Sequence, residues 1–331
     1  MQFENYLYPT QENLFRLLKN NHKGHIAASK KKLFLLVKGT APVLLVAHLD
    51  TVHKDPVKTI CRSDDGNILM SPEGIGGDDR CGVYALETVY EKSEEKPWIL
   101  FTCDEEIGGF GAEDFALNFK NEELPEALKT IKLIVEIDRK GANDAVYYSC
   151  DCPELETYME TKGFQTAQGS FSDISIIAPV MGIAAVNLSS GYYNAHTQHE
   201  YINREELNSV IQRTIEIVAE ATQETFPVYK YKEKYVPKVI SSHNNYFGTY
   251  GSKGTSPCPI TNPAYAYTKE KYEALLDIYT KEELNKYIKA FGEIIIHQLY
   301  EEEFEQWNMF DSRVNEAINY KNTTGFSTKA G

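Results

Sequence analysis

The fold of this chain is constrained most by several short runs that are apolar at every position. A strand with one face in water alternates apolar and polar residues, whereas a strand that is apolar throughout is buried on both faces. A sheet buried on both faces needs helices on each side, and helix-sized segments do separate these runs. The sequence therefore predicts a three-layer α/β domain. The predicted strands cover residues 33–37, 43–47, 98–102, 131–137, 145–148 and 182–188, and predicted helices cover 80–90 and 113–119.

Turn and cap residues add local detail to this pattern. The stretch 39–42, which contains a glycine and a proline, predicts a turn that joins strands 33–37 and 43–47 as a pair. Thr10 predicts the start of a first helix. Asn203 followed by Glu206 predicts a capping box that opens a long helix.

The 331 residues suffice for one large domain or two modest ones, and the composition changes after Phe226. A basic, aromatic stretch is followed by a loop-like stretch over 241–263, and then by a helical pair with cap residues at Thr268 and Thr280. We therefore predict an α/β domain over residues 1–225 and a C-terminal extension over 226–331. The extension is expected to be a loop followed by helices packed on the first domain, and its role stays open.

The net charge of −14 argues against binding to nucleic acid or to anionic lipid. The N-terminus lacks the basic segment and apolar run of a secretion signal, and no apolar stretch reaches the length of a membrane span. We therefore expect a cytoplasmic protein without a nucleic-acid or membrane partner.

Histidine and acidic residues recur at the ends of the predicted strands. In an open α/β sheet, residues beyond the carboxyl ends of the strands meet at one edge and line the ligand site. So many carboxylates at one edge would repel each other without a counter-charge, which a pair of divalent metal ions supplies. Mixed nitrogen and carboxylate ligands favour zinc, with manganese or cobalt as alternatives. The residues concerned are His48, Asp50, Asp78, Glu105, Glu106, Asp138 and His196.

Each of these residues alone has an ordinary structural explanation. Asp78 after two glycines fits a helix N-cap, and Asp138 at a strand end fits a turn. The prediction of a metal centre depends on the ordered recurrence at successive strand exits.

The longer strings around these residues resemble the co-catalytic dizinc peptidase superfamily. That superfamily includes tripeptidases, carboxypeptidases and aminoacylases on one branch, and leucyl-type aminopeptidases on another. The resemblance runs from about Phe34 to Thr222. The matching strings are Val46-Ala-His-Leu-Asp-Thr-Val52, Gly76-Gly-Asp-Asp-Arg-Cys-Gly82, Thr102-Cys-Asp-Glu-Glu-Ile-Gly108 and His196-Thr-Gln-His-Glu200.

The resemblance implies a central mixed, mostly parallel sheet and a defined set of roles. Asp78 would bridge the two metals, with a cis peptide bond after it. Asp50 would orient the His48 ring. Glu105 would be the general base that takes a proton from the metal-bridging water and passes it to the leaving amine. The metal ligands would be His48 and Asp138 on the first ion, and Glu106 and His196 on the second.

Several assignments keep an alternative. Asp79 competes with Asp78 as the bridge, Glu105 and Glu106 can exchange roles, and His199 competes with His196. The family's order and spacing favour the first assignment in each case. Arg80 and Arg139 are undecided, and a salt bridge to a neighbouring carboxylate is the favoured role for Arg139 over binding a substrate carboxylate.

The chain also departs from the resembled family. One branch inserts a lid domain between the ligands that match Asp138 and His196, and a domain needs at least roughly 50 residues. In this chain the residues between Asp138 and His196 also have to form predicted strands and a helix, which leaves too few for a further domain. We therefore expect no inserted lid. The segment 169–173, which ends in Ser-Asp, is similar to the lidless aminopeptidase branch, whereas Asp-Glu-Glu-Ile-Gly is closer to the tripeptidases.

Three functions compete at this stage. The favoured one is a zinc-dependent exopeptidase that acts as an aminopeptidase on short peptides. The second is a carboxypeptidase or N-acyl-amino-acid amidohydrolase with the same metals, in which Arg80 or Arg139 anchors the substrate anion. The third is a metal-binding homologue without catalysis, and a homo-oligomer is compatible with all three.

Overall fold

The computed structural model describes residues 2–53 and 55–234, together with ten of the residues from Tyr272 to Ile296. The chain divides into two compact units, Met1–Tyr235 and Val236–Gly331. The first unit extends past the predicted boundary at 225, because the following residues belong to its core. Phe226 and Tyr229 are buried there, and Lys230 forms an isolated β-bridge with Ile183.

The centre of the first unit is an eight-stranded sheet in the order β1-β2-β6-β3-β7-β10-β8-β9. The four strands β6, β3, β7 and β10 are parallel to their neighbours within this group, and β8 is parallel to β9. The remaining pairs are antiparallel. The predicted mixed, mostly parallel sheet is therefore confirmed. The strands are β1 (Ile26–Ala28), β2 (Phe34–Val37), β3 (Val43–His48), β6 (Trp98–Thr102), β7 (Leu133–Arg139), β8 (Asp144–Val146), β9 (Gln165–Ala167) and β10 (Ala185–Ser189).

Helices cover both faces of this sheet, which confirms the three layers. One face packs against α1, α2, α3, α5 and α7, and the other against α4 and α6. Along β7 the side chains alternate between the two cores, with Val135 in one and Ile134 in the other. The helices are α1 (Glu4–Leu7), α2 (Gln11–Asn21), α3 (Gly77–Lys92), α4 (Phe110–Lys120), α5 (Pro153–Thr161), α6 (Ile174–Met181) and α7 (Arg204–Ala221), with a 3-10 turn at Glu126–Thr130.

A second, separate sheet consists of four very short strands in the order β11-β12-β5-β4. Across the β11–β12 pair the rings of Tyr193 and Tyr201 stack at a centroid distance of 4.9 Å. The sheet joins two segments that are far apart in sequence. Its strands are β4 (Cys61–Arg62), β5 (Ile68–Met70), β11 (Tyr192–Tyr193) and β12 (Tyr201–Asn203).

Two sequence predictions about strands need correction. The runs 33–37 and 43–47 are not paired with each other, because β6 lies between β2 and β3 and hydrogen-bonds to both. The strand predicted over 131–137 is displaced to Leu133–Arg139, so that Asp138 lies within the strand rather than after it.

The cap predictions are partly correct. The Thr10 side chain accepts a hydrogen bond from the Asn13 backbone N–H at the start of α2. Asn203 caps α7 by accepting from two backbone N–H groups. The capping box is wrong in its second half, because the Glu206 carboxylate accepts from the Tyr193 hydroxyl instead.

The helices predicted after Thr268 and Thr280 lie for the most part outside the described residues. At the positions that are described, the Leu276 N–H donates to the Tyr272 carbonyl, and the Leu284 N–H donates to the Thr280 carbonyl. Among all described residues, no helix combines the length and the apolar character that a membrane span requires.

Candidate metal centre

The seven predicted site residues meet at the carboxyl-end edge of β3, β6 and β7. His48 is the last residue of β3, and Asp138 is the last but one of β7. Asp78 lies at the start of α3, where the backbone is not yet helical. Glu105 and Glu106 follow β6, and His196 lies between β11 and β12 with a positive φ of 65°.

One half of the centre forms around His48. Its Nε2 lies 3.1 Å from Asp78 Oδ1 and 3.5 Å from Asp138 Oδ1. The His48 side chain is 1% exposed, and the Asp138 side chain is 8% exposed. This half is therefore closed to solvent.

The other half forms around His196. Its Nε2 lies 3.2 Å from Asp78 Oδ2 and 3.2 Å from Glu106 Oε2. The His196 side chain is 31% exposed, so this half is open. Asp78 thus directs one carboxylate oxygen to each histidine, as a bridging ligand requires.

The alternative bridge, Asp79, is placed differently. Its carboxylate accepts hydrogen bonds from the backbone N–H groups of His48 and Gly82, at 3.3 and 2.9 Å. It still lies near the metal-ligand atoms, because donor atoms of His48, Asp79 and Asp138 fall within 4.8 Å of one another, as do those of His48, Asp78 and Glu106. The backbone hydrogen bonds give Asp79 a structural role that Asp78 does not have.

The spacing of the donor atoms fits metal ions. Ligand atoms about 2.1 Å from a tetrahedral zinc ion are separated by about 3.4 Å from each other. The distances between donor atoms in the two halves are 3.1–3.5 Å. Glu106 Oε1 is buried and has no hydrogen-bond partner among the described residues, which leaves it available as a ligand. The nitrogen and carboxylate donor set suits zinc.

The electrostatics also favour a bound cation. Burial, together with the Asp78 carboxylate, raises the pKa of Asp138 to about 8. Burial raises the pKa of Glu105 well above its usual range, and the carboxylates of Glu106 and Asp173 add to the effect against the opposing His48. Without a metal, protons must neutralise these groups; a divalent cation can replace those protons.

For the two histidines, burial and the neighbouring carboxylates have opposite effects on the pKa. Burial alone would lower the pKa of His48, but Asp138, Asp50 and Asp78 raise it well above its usual value. In the same way Glu106 and Asp78 outweigh burial at His196 and raise its pKa. Each imidazole is therefore held next to negative charge, in the environment of a metal ligand.

Asp50 links His48 to the loop that carries the two glutamates. Its two carboxylate oxygens accept hydrogen bonds from the backbone N–H groups of Glu105 and Glu106, at 3.1 and 3.0 Å. His48 Nδ1 lies 3.3 Å from Asp50 Oδ1. The two atoms are close but do not form a hydrogen bond, so the orienting role of Asp50 stays a prediction.

Glu200 is the last residue of the fourth matching string, and the sequence assigns it no role of its own. It is completely buried, and it accepts hydrogen bonds from the N–H groups of Gly76 and Asp78 and contacts His53 Nε2 at 2.8 Å. The backbone before Asp78 is thereby fixed. Gly77 is required for this close approach, because a Cβ there would lie 2.7 Å from the Cβ of Tyr192.

Asn187 and Tyr192 are two further residues at the site to which the sequence assigns no role. Asn187 Oδ1 accepts from the Asp138 N–H at 2.9 Å, and the Tyr192 hydroxyl donates to the Asp138 carbonyl at 3.1 Å. These contacts hold the end of β7. Their partners are backbone groups, and such contacts leave no recognisable sequence pattern.

The undecided residues now have defined contacts. The Arg80 guanidinium is buried and donates to the carbonyls of Tyr6 and Pro9. Arg139 Nε lies 3.6 Å from Asp144 Oδ2, which is the neighbouring-carboxylate pairing that the sequence favours. The ion pairs of the centre involve His196 and not His199. The peptide bond between Asp78 and Asp79 is cis.

Comparison with solved structures identifies the fold. Aminopeptidase PepT from Bacillus cereus matches over 67% of this chain and 97% of its own, with a TM-score of 0.51 and 15% identity. A tripeptidase from Staphylococcus aureus matches over 66% and 96%, with a TM-score of 0.51 and 16% identity. A TET aminopeptidase from a marine-sediment Thaumarchaeota archaeon matches over 65% and 95%, with a TM-score of 0.50 and 12% identity.

No protein-family profile matches the chain, and no curated protein matches it by sequence. At these identities the structural matches establish the fold alone. The chain therefore has the zinc-exopeptidase fold of the aminopeptidases and tripeptidases, with a buried histidine and carboxylate cluster at its sheet edge.

Proposed function

We propose that this chain is a dinuclear zinc exopeptidase that removes amino-terminal residues from short peptides. The observation that carries the proposal is the placement of Asp78 between two histidines, 3.1 Å from His48 and 3.2 Å from His196. His48, Asp78 and Asp138 would hold one zinc ion, and Asp78, Glu106 and His196 the other. Bound zinc lowers the pKa of water and polarises a carbonyl group.

Glu105 is the group that moves protons in this proposal. It takes a proton from the attacking water and gives it to the leaving amine, and burial raises its pKa above that of an ordinary glutamate. Asp50 holds the Glu105 backbone N–H and thereby fixes the start of the side chain. No serine or cysteine nucleophile is needed.

The charge around the centre supports recognition of a free amino group. The two metal ions would neutralise the ligand carboxylates, so the acidic group beside them, Glu105, is the one that would attract the ammonium group of a peptide. Of the arginines that would anchor a substrate carboxylate, Arg80 is buried and donates to two backbone carbonyls, which removes it as that anchor. Arg139 Nε lies 3.6 Å from Asp144 Oδ2 without a hydrogen bond, so Arg139 is the residue on which the carboxypeptidase and amidohydrolase alternatives depend. The cytoplasmic location and self-association stay predictions.

The test is the release of amino acids from short peptides, free and N-acetylated, by the full chain loaded with zinc, manganese or cobalt. We expect cleavage of the free peptides and no cleavage of the acetylated ones. Cleavage that tolerates acetylation but requires a free carboxyl end would replace the aminopeptidase with a carboxypeptidase.

The catalytic role is tested by Glu105→Gln. The loss of a general base is expected to lower kcat by about 10² to 10⁴-fold with both metals still bound. The matched control is Glu113→Gln, since Glu113 is an exposed glutamate on α4, and it should leave kcat unchanged. Full metal binding with no hydrolysis of any peptide or acyl-amino acid by the unmodified chain would instead support a non-catalytic metal-binding protein.

A further inference from the structure

The loop that carries Glu105 and Glu106 is held from two sides. Asp50 holds the two glutamate N–H groups from within the metal centre. On the other side the preceding residue, Asp104, is held by Gln11, a residue from the N-terminal part of the chain. This second contact belongs to no part of the metal centre.

Gln11 and Asp104 form a two-point contact. Gln11 Nε2 donates to Asp104 Oδ1 at 2.8 Å, and the Asp104 backbone N–H donates to Gln11 Oε1 at 3.1 Å. Because both the donor and the acceptor of the amide are used on one residue, the contact fixes the orientation of Asp104 as well as its position.

Asp104 is the residue at which the loop turns. Its φ is +61°, in the left-handed region that few residues other than glycine and asparagine or aspartate adopt. Its carbonyl accepts hydrogen bonds from the N–H groups of Gly109 and Phe110, at 3.0 and 3.3 Å, and so closes the loop 104–110. A rotation at Asp104 therefore displaces Glu105, its immediate neighbour.

The segment before Gln11 is anchored on α3, close in sequence to Asp78. Gln11 is the first residue of α2, directly after the cap residue Thr10. The segment before it is anchored by Arg80, which donates to the Tyr6 and Pro9 carbonyls and lies two residues after Asp78. The N-terminal segment thus connects the loop of the bridging aspartate with the loop of the two glutamates.

We propose that Gln11 is a positioning residue for Glu105, acting through Asp104; the kinetic part of this inference rests on the proposed function. A general base must lie within about 2.6–3.2 Å of the atom whose proton it takes. A displacement of about 1 Å costs about 10²-fold in rate. The Asp50 contacts stay in place when Gln11 is lost, so metal binding should persist while catalysis declines.

The experiment uses a swapped pair in the full chain. Gln11→Glu sets a carboxylate against the Asp104 carboxylate and removes the donor. Adding Asp104→Asn restores a donor on the opposite side, with the same two-point geometry. Glu12→Ala is the matched control, because Glu12 is exposed and pairs with Arg16 on the same helical turn.

Three readouts are compared: steady-state kinetics, zinc titration by calorimetry, and hydrogen exchange of the peptide that contains residues 104–110. For Gln11→Glu we expect kcat to fall by about 10-fold, KM to change less than about 2-fold, and zinc stoichiometry to stay the same. Exchange in the loop should accelerate. The double variant should recover both kcat and exchange to within about 3-fold of the unmodified chain.

Unchanged exchange and kcat in Gln11→Glu would overturn the proposal. So would a double variant that melts at the normal temperature but remains as slow and as exchange-labile as the single variant. If the unmodified chain hydrolyses no peptide, the proposed function fails, whereas the exchange and zinc data still decide whether Gln11 orders the loop.

Discussion

The two halves of the candidate metal centre are built on different kinds of backbone. His48 and Asp138 lie at the ends of β3 and β7, two neighbouring strands in the middle of the sheet. Glu106 and His196 lie in loops, and His196 has a left-handed backbone and a side chain that is 31% exposed. The strand half is therefore rigid and closed, and the loop half is open to solvent. Under the proposed function, the strand half would hold one ion and the loop half would face the substrate.

The largest difference is expected between His48→Ala and His196→Ala. Removal of the buried His48 takes away the ion-pair partner of the buried Asp138, so the free energy of unfolding of the metal-free protein should fall by about 3–5 kcal/mol. Removal of His196, whose side chain is 31% exposed, should cost less. Both variants should lose at least about 10³-fold in kcat, because removal of a ligand disrupts the dinuclear centre.

Calorimetric zinc titration and thermal unfolding check this prediction. His196→Ala should retain one zinc ion per chain, and His48→Ala should retain less than one. Equal stability and equal stoichiometry in the two variants would contradict the distinction between a strand half and a loop half.

Asp50→Asn should have a smaller effect, because it acts through other residues. The substitution removes the charge opposite His48 Nδ1 and one of the acceptors for the glutamate N–H groups. Loss of a group that orients a metal ligand lowers activity or metal affinity by about 10- to 100-fold. Competition between the variant and a fluorescent zinc chelator measures the affinity. Unaltered zinc affinity together with unaltered kcat would show that Asp50 orients neither half.

The stability of the metal-free protein should fall as the pH rises from about 4 to about 8. Burial raises the pKa of Asp173 to about 6, and the pKa of Asp138 to about 8, above the value of 3.8 for an ordinary aspartate. The folded protein therefore keeps protons that the unfolded chain releases, and each such proton lowers the free energy of unfolding by about 1.4 kcal/mol per pH unit. The raised pKa of His48 and His196 acts in the same direction above about pH 6.5.

Zinc should reverse this trend, because its ligands bind it in their deprotonated forms. Thermal unfolding with zinc and with a chelator, from about pH 5.5 to pH 8, should show a difference in Tm that grows with pH. A difference in Tm that stays constant or shrinks as the pH rises would mean that Asp138 and the two histidines do not bind a metal.

The smallest effect is expected for Arg139→Ala. Arg139 follows Asp138 on the strand half, and its guanidinium pairs with Asp144. An aminopeptidase does not need it for the substrate, so kcat/KM on free tripeptides should change less than about 3-fold. If KM instead rose by about 10-fold or more with free carboxyl ends, and not with amidated peptides, Arg139 would be assigned to a substrate carboxylate.

The sequence predicts six of the eight strands of the main sheet, because continuous apolar runs have few alternatives, and it misses the two three-residue strands β1 and β9. It predicts their neighbours less well. The pairing of 33–37 with 43–47 follows from a short turn, yet β6 lies between them, because strand order depends on packing of the whole sheet. The strands β4, β5, β11 and β12 have two or three residues each, too few to show a period.

The candidate ligands are recognisable because each lies at the end of a buried strand or in a distinctive string. Glu200 and Gln11 are not, since their partners are backbone N–H groups or a residue far away in sequence. The boundary of β7, which differs from the predicted strand 131–137, also depends on contacts with residues far away in sequence. Asn187 and Tyr192 fix Asp138 within the strand through contacts that the local sequence does not encode.

The buried contact between Glu200 and the Asp78 backbone also determines when the centre can form. Roughly 150 residues are synthesised between His48 and Glu200, which at about 5–20 residues per second takes about 8 to 30 seconds. During that time the strands β3 and β6 can emerge and pair, but the Gly76–Asp78 backbone lacks the acceptor that holds it. The residues of the candidate metal centre are therefore expected to come together late in the synthesis of the chain, after the first parallel strands are available.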